Sequence, residues 1–152
     1  MNIQLRSAAS TDLPALLQLM RGYYEDDGLV FTDTNVSAME LLLAAPEWGR
    51  VWFIEFERQK AGYVVLCFGY SVELGGREAY VDELYVDRAL RRRGIARSAL
   101  DLLLDEVRAM DVCAVHLEVD TTNERAVRLY AAAGFKVRDR YHMMTNVLSR
   151  SA

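Results

Sequence analysis

The hydrophobic pattern of the second half of the chain alternates between two periods, and this alternation restricts the fold more than any other feature. β-Branched and apolar residues predict strands over residues 79–86 and 114–119. Apolar residues at three- and four-residue spacing predict helices over residues 95–110 and 123–133, and residues 135–148 are mostly extended. Strands separated by helices pair in parallel, because a parallel connection needs a crossover long enough to hold a helix.

The first half of the chain has a different order of elements. A short strand over residues 3–7 precedes two helices, the second of them over residues 36–45. Residues 51–57 and 62–70 are β-branched and aromatic, and the short polar turn between them predicts an antiparallel hairpin. The 152 residues therefore predict one α/β domain, residues 1–152, in which a mixed sheet carries helices on both faces.

Composition argues against several classes of function. A net charge of −4 and a pI of about 5.2 are not typical of a nucleic-acid-binding protein, and no apolar stretch is long enough to span a membrane. Cys67 and Cys113 lie in apolar runs without a C-x-x-C pair, so we expect two buried free thiols in a reducing compartment. We expect a cytoplasmic protein with no metal site and no nucleic-acid or membrane partner.

The link between the strand at 79–86 and the following helix reads Arg91-Arg92-Arg93-Gly94-Ile95-Ala96. A helix start presents unpaired N–H groups and a partial positive charge, which together bind phosphate. Gly94 and Ala96 let a phosphate approach the backbone, and the arginines add attraction. The glycine patterns of P-loops and of dinucleotide-binding folds are both absent. The sequence therefore predicts an anion site made mainly by backbone geometry.

This link resembles the pyrophosphate-binding motif Q/R-x-x-G-x-G/A of the GNAT superfamily of acetyl-CoA-dependent N-acetyltransferases. A second block, residues 123–135, is similar to the superfamily signature N-x-x-A-x-x-L-Y-x-x-x-G-F at every specified position. The two motifs stand in the expected order, and the resemblance covers nearly the whole chain. It implies a GNAT-like fold, with a central mixed sheet of about six to seven strands and a V-shaped splay between the fourth and fifth strands.

The resemblance also implies where acetyl-CoA would bind. The pantetheine would lie in the splay and pair with the backbone of Leu84, Tyr85 and Val86. The pyrophosphate would lie at the helix start, where the cofactor-binding residues expected are Arg91, Arg92, Arg93, Gly94, Ile95, Ala96 and Arg97. Asn123 stands at a position that contacts the cofactor in the family, although a helix N-cap explains this residue equally well.

Acetylation of an amine requires a neutral amine, a stabilised oxyanion and a proton for the leaving thiolate. Tyr130 matches the usual acid of the family and counts among the expected cofactor contacts. A tyrosine on the stripe that it shares with Ala126, Val127 and Ala133 is also typical of a core aromatic. Only the complete signature favours the catalytic role.

Two carboxylates on the strand at 79–86 are candidates for the base. Asp82 and Glu83 are adjacent, so we expect them on opposite faces of the strand. In several aminoglycoside and polyamine acetyltransferases of the superfamily, acids on this strand serve as base or amine anchor. Glu83 is the first candidate and Asp82 the second. A salt bridge to a neighbouring arginine, or a water chain without a dedicated base, is the alternative.

In the family, the first two helices and the loop between them wall the acceptor pocket. The expected substrate-binding residues are therefore Tyr24, Glu25, Asp26 and Phe31, which suit a cationic amine. A solvated helix end is the alternative reading of this acidic stretch. Few residues follow the second signature, so the usual terminal hairpin is expected to be abbreviated or completed by a partner chain. A homodimer is thus a further hypothesis.

These patterns together predict an N-acetyltransferase that transfers the acetyl group of acetyl-CoA directly to a primary amine of a small molecule or peptide. The alternative on the same fold is a non-catalytic acyl-CoA-binding regulatory module. A third hypothesis, a nucleic-acid-binding protein that uses the arginine triplet, predicts binding that weakens steeply with salt.

Overall fold

The computed structural model describes residues 2–149 and contains a five-stranded sheet in the order β1-β2-β3-β4-β5. The strands are β1 (Ile3–Ser7), β2 (Gly49–Phe56), β3 (Gln59–Ser71), β4 (Gly76–Val86) and β5 (Ala114–His116). The first four pair antiparallel, and β4 pairs with β5 in parallel. The mixed α/β architecture predicted from the alternating periods is confirmed.

Four helices cover the two faces of the sheet. They are α1 (Leu13–Asp26), α2 (Asp33–Ala44), α3 (Ile95–Arg108) and α4 (Glu124–Ala132). Leu16 of α1 and Met39 of α2 pack with Tyr63 on one face, and Leu103 of α3 packs with Val64 on the other. Within residues 2–149, no helix is both long and apolar enough to cross a membrane.

The expected count of six to seven strands is wrong for the described residues, which form five. The strand predicted over residues 114–119 ends at His116, because β5 meets β4 at only three residue pairs. Beyond these pairs, residues 117–119 have no neighbouring strand with which to form a ladder. Residues 136–149 likewise form no strand, and their backbone joins no ladder within residues 2–149.

A β-bulge in β4 overturns the expectation that Asp82 and Glu83 point to opposite faces. The register passes from Leu66 opposite Val81 to Val65 opposite Glu83, so Asp82 is an extra residue on its strand. The extra residue shifts the alternation by one position. Glu83 then contacts α1 through a hydrogen bond from Tyr24, and the charge of Asp82 acts on that same tyrosine. Both carboxylates therefore lie on the α1 side.

The two cysteines differ in their surroundings. Cys67 is half-buried against the α1 core, and burial raises the pKa of its thiol to about 11. Cys113 is exposed, which contradicts the expected burial, because it lies in the turn just before the short edge strand β5. Both thiols are free.

Candidate active site

A cleft opens where β4 and β5 diverge. The two strands pair over residues 78–80 and 114–116, and the pairing stops there. Residues of the second half of β4 line one wall of the cleft and residues 117–120 line the other, around a cavity of about 580 Å³. The β4 backbone groups that point away from β3 have no strand partner here within residues 2–149. An extended ligand can therefore pair with this edge.

The start of α3 closes one end of the cleft. Gly94 is the N-cap of α3 and has a φ of 74°, in the left-handed region where glycine is free of strain. Ser98 is the first residue of α3 that donates into the helix, to the Gly94 carbonyl at 3.1 Å. The N–H groups of Ile95, Ala96 and Arg97 thus have no partner within the helix, and all three residues line the cleft. Free N–H groups at a helix start attract anions, so this end of the cleft is suited to one.

Arg91 lines the cleft, and its side chain also braces the turn that carries Gly94. Its Nε donates to the Val86 carbonyl at 2.9 Å, and its guanidinium pairs with Asp26 at the end of α1. Arg88 pairs with the same carboxylate. Partial burial acts to raise the pKa of Asp26, but the hydrogen bonds from Arg91 and Arg88 hold it below its ordinary value. These pairs tie α1 to the turn that carries Gly94.

The other arginines of this region divide between the cleft and the surface. Arg93 lies 6.0 Å from the centroid of the Phe56 ring and does not line the cleft. Arg97 lines the cleft, but its side chain pairs with Asp101 at 3.1 Å. Arg92 and Arg125 also line the cleft, and neither forms an ion pair within residues 2–149. Arg92 and Arg125 are therefore the guanidinium groups free to meet a phosphate.

Tyr130 and Asn123 of the second signature both line the cleft. The Tyr130 ring packs edge-on against Phe135 with 6.0 Å between centroids, so it is also part of the core rim. Burial, and to a smaller extent the charge of Asp27, raises the pKa of Tyr130 and keeps its phenol protonated at neutral pH. The Asn123 side chain accepts from the Ala126 N–H at 3.1 Å and caps α4.

An acidic lobe adjoins the cleft next to the bulge. This cavity of about 430 Å³ shares all of its lining residues except Tyr80 with the cleft, and it has carboxylates on both walls. Besides Asp82, its acidic residues are Asp27, Glu118 and Asp120, and its aromatic residues are Tyr23 and Tyr80. Desolvation by the surrounding walls, and then the charge of Glu118, raises the pKa of Asp82.

Glu83 lies behind the cleft wall and belongs to a partly buried network. Its Oε1 accepts from the Tyr63 hydroxyl at 2.8 Å, and its Oε2 accepts from the Tyr24 hydroxyl at 3.0 Å. Asn35 of α2 donates to the Tyr24 hydroxyl at 3.3 Å. Burial raises the pKa of Glu83 although both phenols act to lower it. The network joins α1, α2, β3 and β4 directly beside the bulge.

Replacing Glu83 with leucine is expected to lower the free energy of unfolding by about 2 kcal/mol or more, because a buried donor left without an acceptor costs about 1–3 kcal/mol. Urea unfolding measures the loss. In the double variant Glu83→Leu, Tyr63→Phe, the loss should be smaller than the sum of the two single losses, since the orphaned hydroxyl is gone. If the loss in the double variant equalled the sum of the two single losses, Glu83 and Tyr63 would not stabilise the fold through their interaction.

The structure collects most of the predicted site residues around one cleft. Those lining it are Asp26, Asp82, Leu84, Tyr85, Val86, Arg91, Arg92, Gly94, Ile95, Ala96, Arg97, Asn123 and Tyr130. Glu83, Arg93, Tyr24, Glu25 and Phe31 line neither the cleft nor the lobe. Tyr24 instead stacks edge-on against Phe31 at 5.3 Å, and Glu25 is exposed.

Three charged residues of the cleft had no role assigned from the sequence: Glu118, Asp120 and Arg125. Glu118 follows His116 by two positions, so an extended chain points both to one side. That alternation was the available signal, but it required knowing that β4 and β5 diverge. Tyr23 and Asp27 belong to the same acidic and aromatic stretch as Tyr24 and Glu25, and they reach the cleft, whereas Tyr24 and Glu25 do not.

These features are typical of one class of protein, the acyl-CoA-dependent transferases. They are a mixed sheet with two strands that diverge, a helix start at one end of the cleft and a tyrosine in its wall. The model of the acetyltransferase (GNAT) family matches residues 13–135. The chain belongs to this family, whose cosubstrate is acetyl-CoA.

Individual relatives agree with the family and cover different parts of the chain. Ribosomal protein bS18-alanine N-acetyltransferase of Salmonella typhimurium is 38% identical over 58 residues, which are 38% of this chain and 39% of that protein. The enzyme of the same name from Escherichia coli K12 is 33% identical over 72 residues, 45% of this chain and 49% of that protein. The chain thus spans half or less of the length of these curated relatives.

A solved structure matches nearly the whole chain. It is an integron cassette protein from the mobile metagenome of Cole Harbour Salt Marsh, with 29% identity and a TM-score of 0.84, covering 97% of this chain and 92% of that one. The fold and its splayed strands are therefore those of the GNAT family.

The residues present fit acetyl-CoA. The open edge of β4 offers backbone donors and acceptors to an extended amide-containing chain, and the first turn of α3 offers three N–H groups to a pyrophosphate. Arg92 and Arg125 line the same cleft and supply positive charge for further phosphates.

Proposed function

We propose that this protein is an N-acetyltransferase that transfers the acetyl group of acetyl-CoA directly to a primary amine on a cationic small molecule or peptide. The observation that carries the proposal is that the cleft at the start of α3 and the acidic lobe are continuous. They share Asp82 and seven further lining residues, among them Asp27, Glu118 and Asp120. A donor and an acceptor can thus meet at a carboxylate.

The lobe suits an acceptor that carries positive charge. Asp27, Asp82, Glu118 and Asp120 line it together with Tyr23, and no arginine or lysine does so within residues 2–149. Carboxylates attract an ammonium group, and the tyrosine ring faces add cation–π contact. The bS18-alanine acetyltransferases act on an alanine of a ribosomal protein by their name, which supports a peptide amine as one form of this acceptor.

Residues on the two walls of the cleft carry out different steps of the reaction. The thioester supplies the acyl group and a thiolate leaving group. Asp82 opens into the lobe and takes the proton from the amine, directly or through water, because an alkyl ammonium has a pKa of about 10.4 and must be deprotonated to attack. The unpaired N–H groups of β4 are the donors for the acyl oxygen. Tyr130 returns a proton to the thiolate.

The geometry favours Asp82 over Glu83 as the base. Both oxygens of Glu83 accept phenol hydrogen bonds behind the wall, whereas Asp82 lines both cavities. The hydrogen bonds of Glu83 with Tyr24 and Tyr63 stabilise the bulge, and the bulge turns Asp82 toward the lobe. The same proposal places the reaction in the cytoplasm, which agrees with two free thiols.

Replacing Asp82 with asparagine is expected to lower kcat by about 10²-fold, the lower end of what a positioned base contributes. The wild-type rate should fall as pH drops through the pKa of Asp82, which is raised, so this acid limb lies above the ordinary range of an aspartate. The asparagine variant should lack that limb. The measurement is a pH profile of kcat, with Asp27→Asn as the matched control, whose main effect should be a higher KM for the amine.

A turnover screen read by release of the free CoA thiol tests the function itself. The probes are polyamines, aminoglycosides, single amino acids and peptides with alanine at the N-terminus, and cationic acceptors should react faster than neutral ones of equal size. Binding of CoA without turnover of any probe would instead support a non-catalytic acyl-CoA-binding regulatory module. A preference for acidic acceptors would contradict the role given to the lobe.

A further inference from the structure

Tyr80 is the residue that distinguishes the acidic lobe from the cleft. The other residues that line the lobe also line the cleft, whereas Tyr80 lines the lobe alone. Along β4 the lining residues run from Tyr80 through Asp82 to Val86, and the start of α3 follows further along the chain. Tyr80 therefore lies beyond the proposed base Asp82, on the side away from the helix start.

Three neighbours hold the Tyr80 ring in place. Its hydroxyl donates to Oε1 of Glu78 at 2.8 Å. The ring lies against the imidazole of His116, with 5.0 Å between the centroids and an angle of 33° between the planes. Gly69 of β3 lies opposite Glu78 in the sheet, and a Cβ at this position would lie 3.4 Å from the ring. The ring is thus oriented by its surroundings, although Tyr80 is 40% exposed.

Glu78 links the two rings. The hydrogen bond from Tyr80 is the main reason that the pKa of Glu78 lies below its ordinary value, so this carboxyl group is ionised at neutral pH. An ionised carboxylate only accepts hydrogen bonds, so Nε2 of His116 donates to Oε2 of Glu78 across 2.9 Å. Both oxygens of Glu78 therefore orient a ring, and of these three residues it is Tyr80 that lines the lobe.

The position and chemistry of the Tyr80 ring suit a cation. The face of a tyrosine ring attracts positive charge, and a phenol that donates to a carboxylate is more electron-rich, because hydrogen-bonded groups polarise one another. The lobe also contains four carboxylates and no arginine or lysine within residues 2–149; the carboxylates belong to Asp27, Asp82, Glu118 and Asp120. A single ammonium group would leave most of this negative charge uncompensated, whereas a second positive group would compensate more of it.

We propose, on the basis of the amine acetylation proposed above, that the preferred acceptor carries a second cationic group, which binds the Tyr80 ring while the reacting amine lies at Asp82. Tyr80 is then a specificity-determining residue, and Glu78 and His116 are positioning residues that act through its ring. Asp82 follows Tyr80 by two residues, which corresponds to about 7 Å along a strand. The acceptor is therefore an extended dication whose positive groups are at least about 7 Å apart.

Binding of matched amines to the CoA-loaded protein, measured by isothermal titration, tests this role of Tyr80. Hexamethylenediamine and heptylamine differ in that a methyl group replaces the second ammonium group, and trimethylenediamine and butylamine form a shorter pair of the same kind. The wild type should bind hexamethylenediamine about 5- to 30-fold more tightly than heptylamine, the range of one cation–π contact. The preference within the shorter pair should be much smaller, because trimethylenediamine cannot reach Asp82 and Tyr80 together.

Replacing Tyr80 with leucine should remove most of the preference for hexamethylenediamine, and Tyr80→Trp should retain it, because an indole face binds cations at least as well. The matched control is Tyr70→Leu. Tyr70 is an exposed tyrosine of β3 that lines neither the cleft nor the lobe, so its replacement should leave the preference unchanged. A preference that survives in Tyr80→Leu, or that is lost equally in Tyr70→Leu, would overturn the role given to Tyr80.

Two variants of Glu78 test whether it acts by positioning the ring. Glu78→Leu removes both acceptor oxygens and should lower the preference for hexamethylenediamine nearly as far as Tyr80→Leu does. Glu78→Gln keeps an amide oxygen for the Tyr80 hydroxyl and should restore part of the preference. In turnover, both variants should raise KM for hexamethylenediamine more than they lower kcat, because the second cationic group takes no part in proton transfer. Equal losses in Glu78→Gln and Glu78→Leu would overturn the positioning role, since the charge alone would then account for binding.

The titrations and the turnover screen distinguish this proposal from the proposed function. Acetylation of amines by a wild type that binds hexamethylenediamine and heptylamine equally well would confirm the acetyltransferase and overturn the second cationic group. A preference that depends on Tyr80, in a protein that acetylates none of the probes, would support the binding site for the second group and contradict the proposed function.

Discussion

Replacing Gly94 with valine is expected to weaken binding of acetyl-CoA by about 5- to 30-fold, at about 1.4 kcal/mol for each tenfold change in affinity. Gly94 has a φ of 74°, and a left-handed conformation costs a residue with a Cβ about 1–2 kcal/mol. Valine relieves this strain by rotating the backbone, which turns the free N–H groups of the first turn of α3 away from the pyrophosphate. Isothermal titration with CoA measures the change.

Gly75 provides the matched control for this experiment. It has a φ of 80° in the turn before β4, a Cβ at this position would meet open space, and the residue lies outside the cleft. Gly75→Val should therefore carry a similar strain without loss of CoA affinity. Arg92→Gln should weaken binding only a few-fold, since one exposed charge pair contributes about 1 kcal/mol or less. A larger effect of Arg92→Gln than of Gly94→Val would show that charge, not backbone geometry, makes the anion site.

Replacing Tyr130 with phenylalanine is expected to lower kcat by about 10²- to 10⁴-fold, the range typical of a positioned general acid. Affinity for CoA should hardly change, because the ring that packs on Phe135 is retained. Burial keeps the pKa of the phenol above its ordinary value, so the proton is present throughout the neutral range. Steady-state kinetics with an acceptor from the screen, together with CoA titration, separates the two effects.

Tyr23 is the competing phenol in the cleft, and burial raises its pKa to about 12. Tyr23→Phe should alter KM for the amine more than kcat, since this residue also lines the acidic lobe. The reverse outcome, with full turnover in Tyr130→Phe and a large loss in Tyr23→Phe, would transfer the acid role to Tyr23.

The main features of the fold followed from local patterns. The change of hydrophobic period near residue 79 was enough to predict parallel pairing after an antiparallel meander, because helix and strand periods record which side of an element is buried. The strand count was overestimated, because a strand exists only where a neighbour supplies its ladder. Residues 117–119 and residues 136–148 have suitable side chains but no such neighbour within residues 2–149.

The site could be predicted only in part for a similar reason. Gly94 and the first turn of α3 are local, so the sequence alone could predict an anion site between a strand and a helix, and the structure has the helix start at this place. The choice between Asp82 and Glu83 depended on a bulge, which is a property of two strands in register. No pattern within residues 79–86 shows an extra residue in the ladder.

The three arginines before Gly94 show the same difference between what the sequence determines and what the tertiary structure decides. The sequence by itself determined that a glycine and three arginines precede α3, and that a helix start binds anions. Only the tertiary structure decided that Arg91 braces Asp26 and Val86, that Arg93 lies over Phe56, and that Arg92 alone of the three lines the cleft without an ion pair within residues 2–149. The reason is physical: backbone donors are positioned by local φ and ψ, whereas a long charged side chain is positioned by the partners that folding brings within its reach.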